Sequence, residues 1–241
     1  MPYRKEQFAN NDIGHIILRA IDNNLLFKNI DDYYRGIFSI YEFNNSKSIT
    51  IRERRRIRNV LKNKTYRGRA SVTLEDERDR LVDLLCFCFM PNHIHLLLKQ
   101  IKDNGITKFV SKVGTGLGGY LNRKYNRQGY VFQNRFNAVK IKSDEQLKIT
   151  SSYIHTNPLS IKYPEWKKIK IKKPKEAHSF LEKYRWSSYL DYINIKNFPS
   201  VIQKDFILGT MGGFKEYKEF VNNWIEYKGE LEKYHNLFLK N

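Results

Sequence analysis

The sequence predicts an α+β fold, a mainly antiparallel sheet flanked by helices. Three observations carry that prediction. "HIILRAID", residues 15–22, has the β-branched, alternating character of a strand. "LVDLLCFCFMPNHIHLLLKQ", residues 81–100, is a long apolar run broken by Met90-Pro91-Asn92. Proline cannot donate into a ladder and favours turns, so this run reads as two strands joined by a tight turn. The remaining segments alternate in type but lack the regular spacing of a doubly wound βαβ sheet, which favours an antiparallel arrangement.

The other elements follow in chain order. "DDYYRGIFSIYEFNN", residues 31–45, repeats apolar residues at three and four and reads as a helix. "RERRRIRNVLKNKTYRGR", residues 52–69, has little apolar content and heavy positive charge. It reads as an exposed excursion, either a solvated loop or an arm that contacts phosphates. Residues 105–126 are helical in pattern despite their glycines, and residues 127–141 turn at Gly129 and continue as a strand. A further helix starts at "SDEQ", where Ser143 and Gln146 have capping-box spacing, and ends at or before Asn157 because Pro158 follows. From "WKKIKIKKPK", residues 166–175, the character changes to a basic connector and an aromatic-rich helical tail. The expected organisation is one domain over residues 1–165, with a basic insert at about 46–80, and a helical extension over 166–241.

Composition bounds the function. Hydrophobic residues form 41% of the 241 and aromatics 14%, enough for a core and too many for disorder throughout. A net charge of +19 and a pI near 9.8 point to a polyanionic partner, nucleic acid above all, because each neutralised phosphate releases counterions. No window approaches the roughly 18 apolar residues of a membrane span, and the start of the chain lacks a signal-peptide pattern. The two cysteines, Cys86 and Cys88, make no disulfide framework and suit a reducing compartment. The expectation is a cytoplasmic protein with no membrane partner and no small-molecule substrate.

The chemistry centres on "PNHIHLLL". On a strand, His93 and His95 share one face, about 6.5–7 Å apart along the chain, while Ile94 and Leu96 face the core. Either the two imidazoles share a divalent metal, or one is a satisfied buried histidine beside an accidental neighbour; the spacing leaves both open. Cys88 could join a zinc site, but both cysteines read better as small hydrophobes. In "SSYIHTNP", Tyr153 and Asn157 are four apart and so lie about 40° apart on one helical face. Asn157 could offer its carbonyl oxygen to the same metal, with Tyr153 beside it. A phenol next to a metal in a basic protein suggests attack on a phosphodiester. Tyrosine, with an ordinary pKa of about 10, needs help as a nucleophile, and a divalent ion supplies it by polarising the phosphate. Tyr120, Tyr125 and Tyr130 are rival phenols on composition alone.

With those residues in view, the chain resembles the REP-associated tyrosine transposases, in the single-tyrosine branch of the HUH nucleases. The resemblance rests on "FCFMPNHIHLLLKQ", "YLNRKYNRQGYVFQNRF", "SSYIHTNPLS" and "YRWSSYLDYI", which occur in the family's order, and spans most of residues 10–195. It implies a ferredoxin-like or RRM-like core, with His93, His95 and Asn157 as metal ligands and Tyr153 as the catalytic tyrosine. The implied activity is cleavage and joining of single-stranded DNA at hairpins, with the tyrosine linked to a 5′ phosphate and a 3′-OH released. The implied cofactor is Mg²⁺ or Mn²⁺. Arg123, Arg127, Gln133 and Arg135 fall in the family's basic block as DNA contacts, and Tyr130 and Phe132 there could stack on bases or belong to the core. The runner-up reading is a retired transposase that only binds DNA hairpins. A small-molecule metallohydrolase would leave the charge unexplained, and an RNA-binding module would leave the histidine pair without a role. A monomer in isolation is the expected state.

Overall fold

The computed structural model describes residues 7–66, 76, 78–133, 136–166 and 171–226. Its centre is a four-stranded antiparallel sheet of β1 (Ile13–Arg19), β2 (Val82–Met90), β3 (His93–Gln100) and β4 (Asn137–Ile141), in the order β2-β3-β1-β4. Helix α1 (Ile30–Glu42) lies between β1 and β2 in sequence, with α2 (Ile51–Tyr66) behind it. Helix α3 (Gly105–Lys124) lies between β3 and β4. The βαββαβ order with β3 inserted between β1 and β2 is the ferredoxin-like arrangement, so the α+β prediction holds.

Because side chains alternate along a strand, pairing assigns residues to the two faces of the sheet. Ile16 pairs with Leu96, Leu18 with Ile94, and Ile94 with Phe89; these point to one face. Helix α1 covers that face. A methyl group added at Gly36 would lie 2.4 Å from the Phe89 ring, so the helix reaches the sheet there only because the residue is glycine. Helix α3 packs beside α1, and its Phe109, Val113 and Leu117 are fully buried.

Polar residues fix the two helices. Asn29 caps α1 by accepting the Asp32 backbone N–H, and Asp32 returns the favour to the Asn29 N–H. Asp32 also accepts from Lys124 Nζ at 2.6 Å, Tyr125 Oη at 2.5 Å and Tyr120 Oη at 3.2 Å, tying the start of α1 to the end of α3. Burial alone would raise the Asp32 pKa, but the bonds from Lys124 and Tyr125 leave it below the usual carboxylate range. Asn44 accepts from the N–H groups of Leu81 and Val82 and donates to the Val82 carbonyl, which sets the start of β2.

The opposite face carries His93 and His95 and is covered by α4 (Asp144–Thr156). Ser143 caps α4 by accepting the Gln146 N–H, as the spacing predicted, while the Gln146 side chain reaches back to the Lys142 N–H. The short α5 (Leu159–Lys162) follows Pro158 directly. Then α6 (Pro174–Leu181), α7 (Tyr189–Tyr192), α8 (Asp205–Met211) and α9 (Phe214–Glu226) complete the layer, with α8 and α9 packed on α4.

The tail also finishes the sheet. Phe89 N–H donates to Trp186 O, Ser188 N–H to Phe87 O, and Leu84 N–H to Gln203 Oε1, so the exposed edge of β2 is paired along its length. An edge left open would invite pairing with another chain.

Two local expectations change. The basic stretch is a helix, α2, rather than a loop: Ile51 is buried at its start and Arg54 lies 3.6 Å from Glu42 of α1, while residues 52, 53, 55 and 56 are exposed. Among the described residues, the strand expected from Gly129 onward forms at Asn137–Ile141, and before it Phe132 makes an isolated bridge to Ala20.

Candidate active site

The site is built on β3 and the turn that precedes it. That turn is held from outside: Pro91 O accepts from Leu26 and Phe27 N–H, and Asn92 O accepts from Ala20 N–H. Its position at the head of β3 fixes His93, whose Nδ1 lies 2.6 Å from Asn92 Oδ1. Asn92 thus turns the Nε2 of His93 inward, where it meets His95 Nε2 at 3.0 Å.

A third imidazole joins them. His15 on β1 sits diagonally across from His95, since His15 pairs with Leu97 and Ile17 with His95. His15 Nε2 lies 3.0 Å from His95 Nδ1, and the two rings stack with centroids 5.2 Å apart. His15 and His95 are fully buried, and His93 nearly so. With all three neutral, one tautomer assignment satisfies the chain of contacts: His15 donates to His95, His95 to His93, and His93 to Asn92. Arg19, two residues after Ile17, pairs across from His93 on this same face and is half-buried.

The tyrosine arrives from the helix above. Tyr153 is one of the buried residues of α4, 5% exposed, and its ring stands edge-on over both His95 and His15, with centroids 5.8 and 5.9 Å away. Asn157, at the C-cap of the same helix, is buried, and its Nδ2 donates to the Tyr153 carbonyl at 3.0 Å. Helix α4 therefore brings Tyr153 onto the histidine face, with Asn157 one turn further along the same helix.

The nitrogens suit a metal. Two ligands about 2.1 Å from one octahedral ion at a right angle lie about 3.0 Å apart, and the two Nε2 atoms are 3.0 Å apart. Among the described residues no group of three or more His, Cys, Asp or Glu is placed to hold a metal. An amide such as that of Asn157 is then the kind of further ligand these residues offer, a nitrogen and oxygen set that suits Mg²⁺ or Mn²⁺. With a metal on both Nε2 atoms, His95 Nδ1 would carry the proton and donate to His15, which fixes the ring as outer partners of ligating histidines do.

The remaining predicted residues scatter. Gln133 is exposed, and its N–H donates to Arg19 O, which places it near the His93 end of the sheet. Arg123 lies on the last turn of α3, in the helical layer on the other face. Arg127 is half-buried, with its N–H on Asn122 O, and Arg135 lies outside the described residues. Tyr130 is 76% exposed, whereas Phe132 belongs to the core. Tyr120 and Tyr125 are engaged at Asp32, far in sequence and function from the histidine face. Cys88 pairs with His95 across the ladder and Cys86 is buried two residues away, its thiol pushed up to about 12 by burial.

His15 and Arg19 escaped the sequence reading. Alternation put both on one face of a strand, but nothing in the chain order said that strand would lie beside His93 and His95.

The chain thus sets a histidine cluster on an antiparallel ferredoxin-like sheet, beneath a tyrosine-bearing helix. Residues 42–157 match the family described as "Transposase IS200 like", from the end of α1 to Asn157. A solved structure described as "Structure of the REP associates tyrosine transposase bound to a REP hairpin" is similar at a TM-score of 0.45 and 10% identity, over 82% of this chain and 90% of that one. No curated protein matches the sequence. Among the described residues no helix is long and apolar enough to cross a membrane.

Proposed function

We propose that the protein is a metal-dependent single-tyrosine transposase that cuts and rejoins single-stranded DNA at hairpin-bearing ends. The observation that carries this reading is the convergence of His93 and His95 Nε2, 3.0 Å apart, beneath the ring of Tyr153. The transposase family match and the net charge of +19 support DNA as the partner.

A divalent ion, when bound, would polarise the scissile phosphate and favour in-line attack. His93 and His95 would hold it, Asn157 would add an amide oxygen, and Asn92 and His15 would orient the two rings. Tyr153 would supply the nucleophile: its phenolic oxygen bonds to phosphorus, the bond from phosphorus to the 3′ oxygen breaks, and the phenolic proton is lost while the 3′ oxygen gains one. The 5′ phosphate is then joined to Tyr153. That ester keeps the energy of the broken linkage, so attack by a 3′-OH reverses the step and reseals a strand without ATP.

The test is a nicking assay on labelled single-stranded hairpin DNA from the gene's own flanks, with and without Mn²⁺ or Mg²⁺. Wild type should give a metal-dependent covalent protein–DNA adduct, and Tyr153→Phe should lower it by at least about a thousand-fold while binding persists. An adduct that survives in Tyr153→Phe would move the nucleophile to another tyrosine.

The burial of Tyr153, 5% exposed, and of His95, 0% exposed, favours a second reading, a retired transposase that binds hairpins without cutting them. Tight binding by wild type with no cleavage of any flank would select it.

A further inference from the structure

On the sheet face away from the histidines, α1, the start of α2 and α3 enclose a groove of about 690 Å³. Arg35 of α1, Arg52 and Arg55 of α2, and Lys112 and Arg123 of α3 line it, and among the described residues no carboxylate does. Its floor exists because residue 116 is glycine: a methyl group there would lie 2.1 Å from the Phe43 ring.

Arg35 is the telling member. It is 7% exposed, and its Nε is buried without a hydrogen-bond partner. Its guanidinium lies over the Tyr120 ring, 4.8 Å from the centroid. Burial together with the nearby Arg55 and Arg123 pushes its pKa down to about 10, the mark of a cation short of counter-charge. A buried guanidinium is costly unless an anion pairs with it, and nothing on the described chain does so. Lys112 is already committed, donating to Asn45 O at 2.5 Å and Lys47 O at 2.7 Å, and so it holds the wall. The sixteen-residue helix α2 also begins here: Thr50, Ile51 and Arg52 line the groove, so the positive end of the helix dipole lies at its wall.

We propose that this groove is a phosphate-binding site that grips the backbone of the DNA, on the side of the sheet opposite the histidines. The groove's preference for phosphate stands on its own residues. The choice of DNA over a small phosphate compound rests on the transposase reading above. The volume agrees with it, since the groove falls within the range of whole ligand sites, about 300–1,000 Å³, and one phosphate would fill only part. The DNA would then be held at two places, the histidine face for chemistry and this groove for grip.

The test is fluorescence anisotropy of the full chain with a labelled single-stranded hairpin oligonucleotide, titrated across salt concentrations. Arg52→Glu/Arg55→Glu changes two exposed side chains and should weaken binding at least ten-fold. It should also flatten the slope of log affinity against log salt by about 1.4, the value for two lost contacts to a single strand. Lys183→Glu/Lys215→Glu makes the same change of charge in the other helical layer and should bind within two-fold of wild type. Arg35→Gln should weaken binding with no fall in melting temperature, because it removes a buried cation that has no anionic partner among the described residues; a structural arginine would lower the melting point instead. Equal losses in both charge reversals, or an unchanged slope in Arg52→Glu/Arg55→Glu, would overturn the proposal. So would inorganic tripolyphosphate stabilising wild type but not Arg52→Glu/Arg55→Glu while DNA affinity stayed the same, since the groove would then serve a small phosphate. Failure of the transposase reading would remove nicking and leave the anisotropy result standing, so the two are read separately.

Discussion

His95 and His155 are both fully buried imidazoles, one on β3 and one on the helix that covers it, and their surroundings divide their roles. His155 has a hydroxyl on each nitrogen: Tyr217 Oη 2.7 Å from Nδ1 and Ser188 Oγ 2.7 Å from Nε2. A hydroxyl both donates and accepts, so either tautomer is satisfied, and burial pushes the His155 pKa down to about 3. This ring is a neutral tie between α4 and the C-terminal helices. His95 has imidazole on both sides, His15 at Nδ1 and His93 at Nε2. His15 stacks on His95 and His93 stands edge-on to it, with the Nε2 atoms of His93 and His95 3.0 Å apart, and under the reading proposed above those two nitrogens would hold the cation. Burial by itself therefore says little about a histidine; the partners of its two nitrogens say whether it holds the fold or serves a ligand.

The contrast is open to direct attack. The largest effect should come from His95→Gln, which should lower nicking by at least about a thousand-fold, the scale of losing a metal's several kcal/mol. In differential scanning, Mn²⁺ should raise the melting temperature of wild type and leave His95→Gln unmoved. A variant that still responds to Mn²⁺ would break the assignment of His95 to the metal.

His155→Phe should act the other way. It leaves Tyr217 Oη and one side of Ser188 Oγ short of a buried partner, so denaturant melts should show a loss of about 2–4 kcal/mol. The Mn²⁺ response of the protein that remains folded should persist. If instead stability held and the metal response vanished, the two histidines would have to exchange roles.

The smallest and sharpest change is His15→Asn. It removes an outer partner and no proposed ligand, so metal titration should show affinity about 10- to 100-fold weaker with the chemistry retained. Unaltered affinity would mean that the contact between His15 and His95 merely fills space.

Much of this was readable along the chain because it depends on near neighbours. The alternation of "NHIHLLL" put His93 and His95 on one face, Pro91 placed the turn, and the four-residue spacing of Tyr153 and Asn157 put both on one side of α4, whose N-cap Ser143 was legible too. What escaped involved distant segments. His15 is 80 positions from His95, and only the register of β1 against β3 brings them together. The tail beyond about 200 read as a helical extension of unknown task, yet Gln203 joins Trp186 and Ser188 in pairing with the edge of β2, and Tyr217 joins Ser188 in holding His155. The basic run at 52–69 showed its charge but not its helix, because its pattern has few apolar residues and α2 owes its place to Ile51 and to α1.

The sequence by itself determined the α+β class, the basic charge, and the pairing of histidines on one strand face and of Tyr153 with Asn157 on one helix face. These follow from the periods of strand and helix, which act over a few residues. Only the tertiary structure decided that the two faces meet, that His15 completes the cluster, and that Arg35, Arg52, Arg55 and Arg123 gather around one groove on the far side. Strand order, register and helix packing are set by burial summed over the whole chain, and no local spacing encodes that sum.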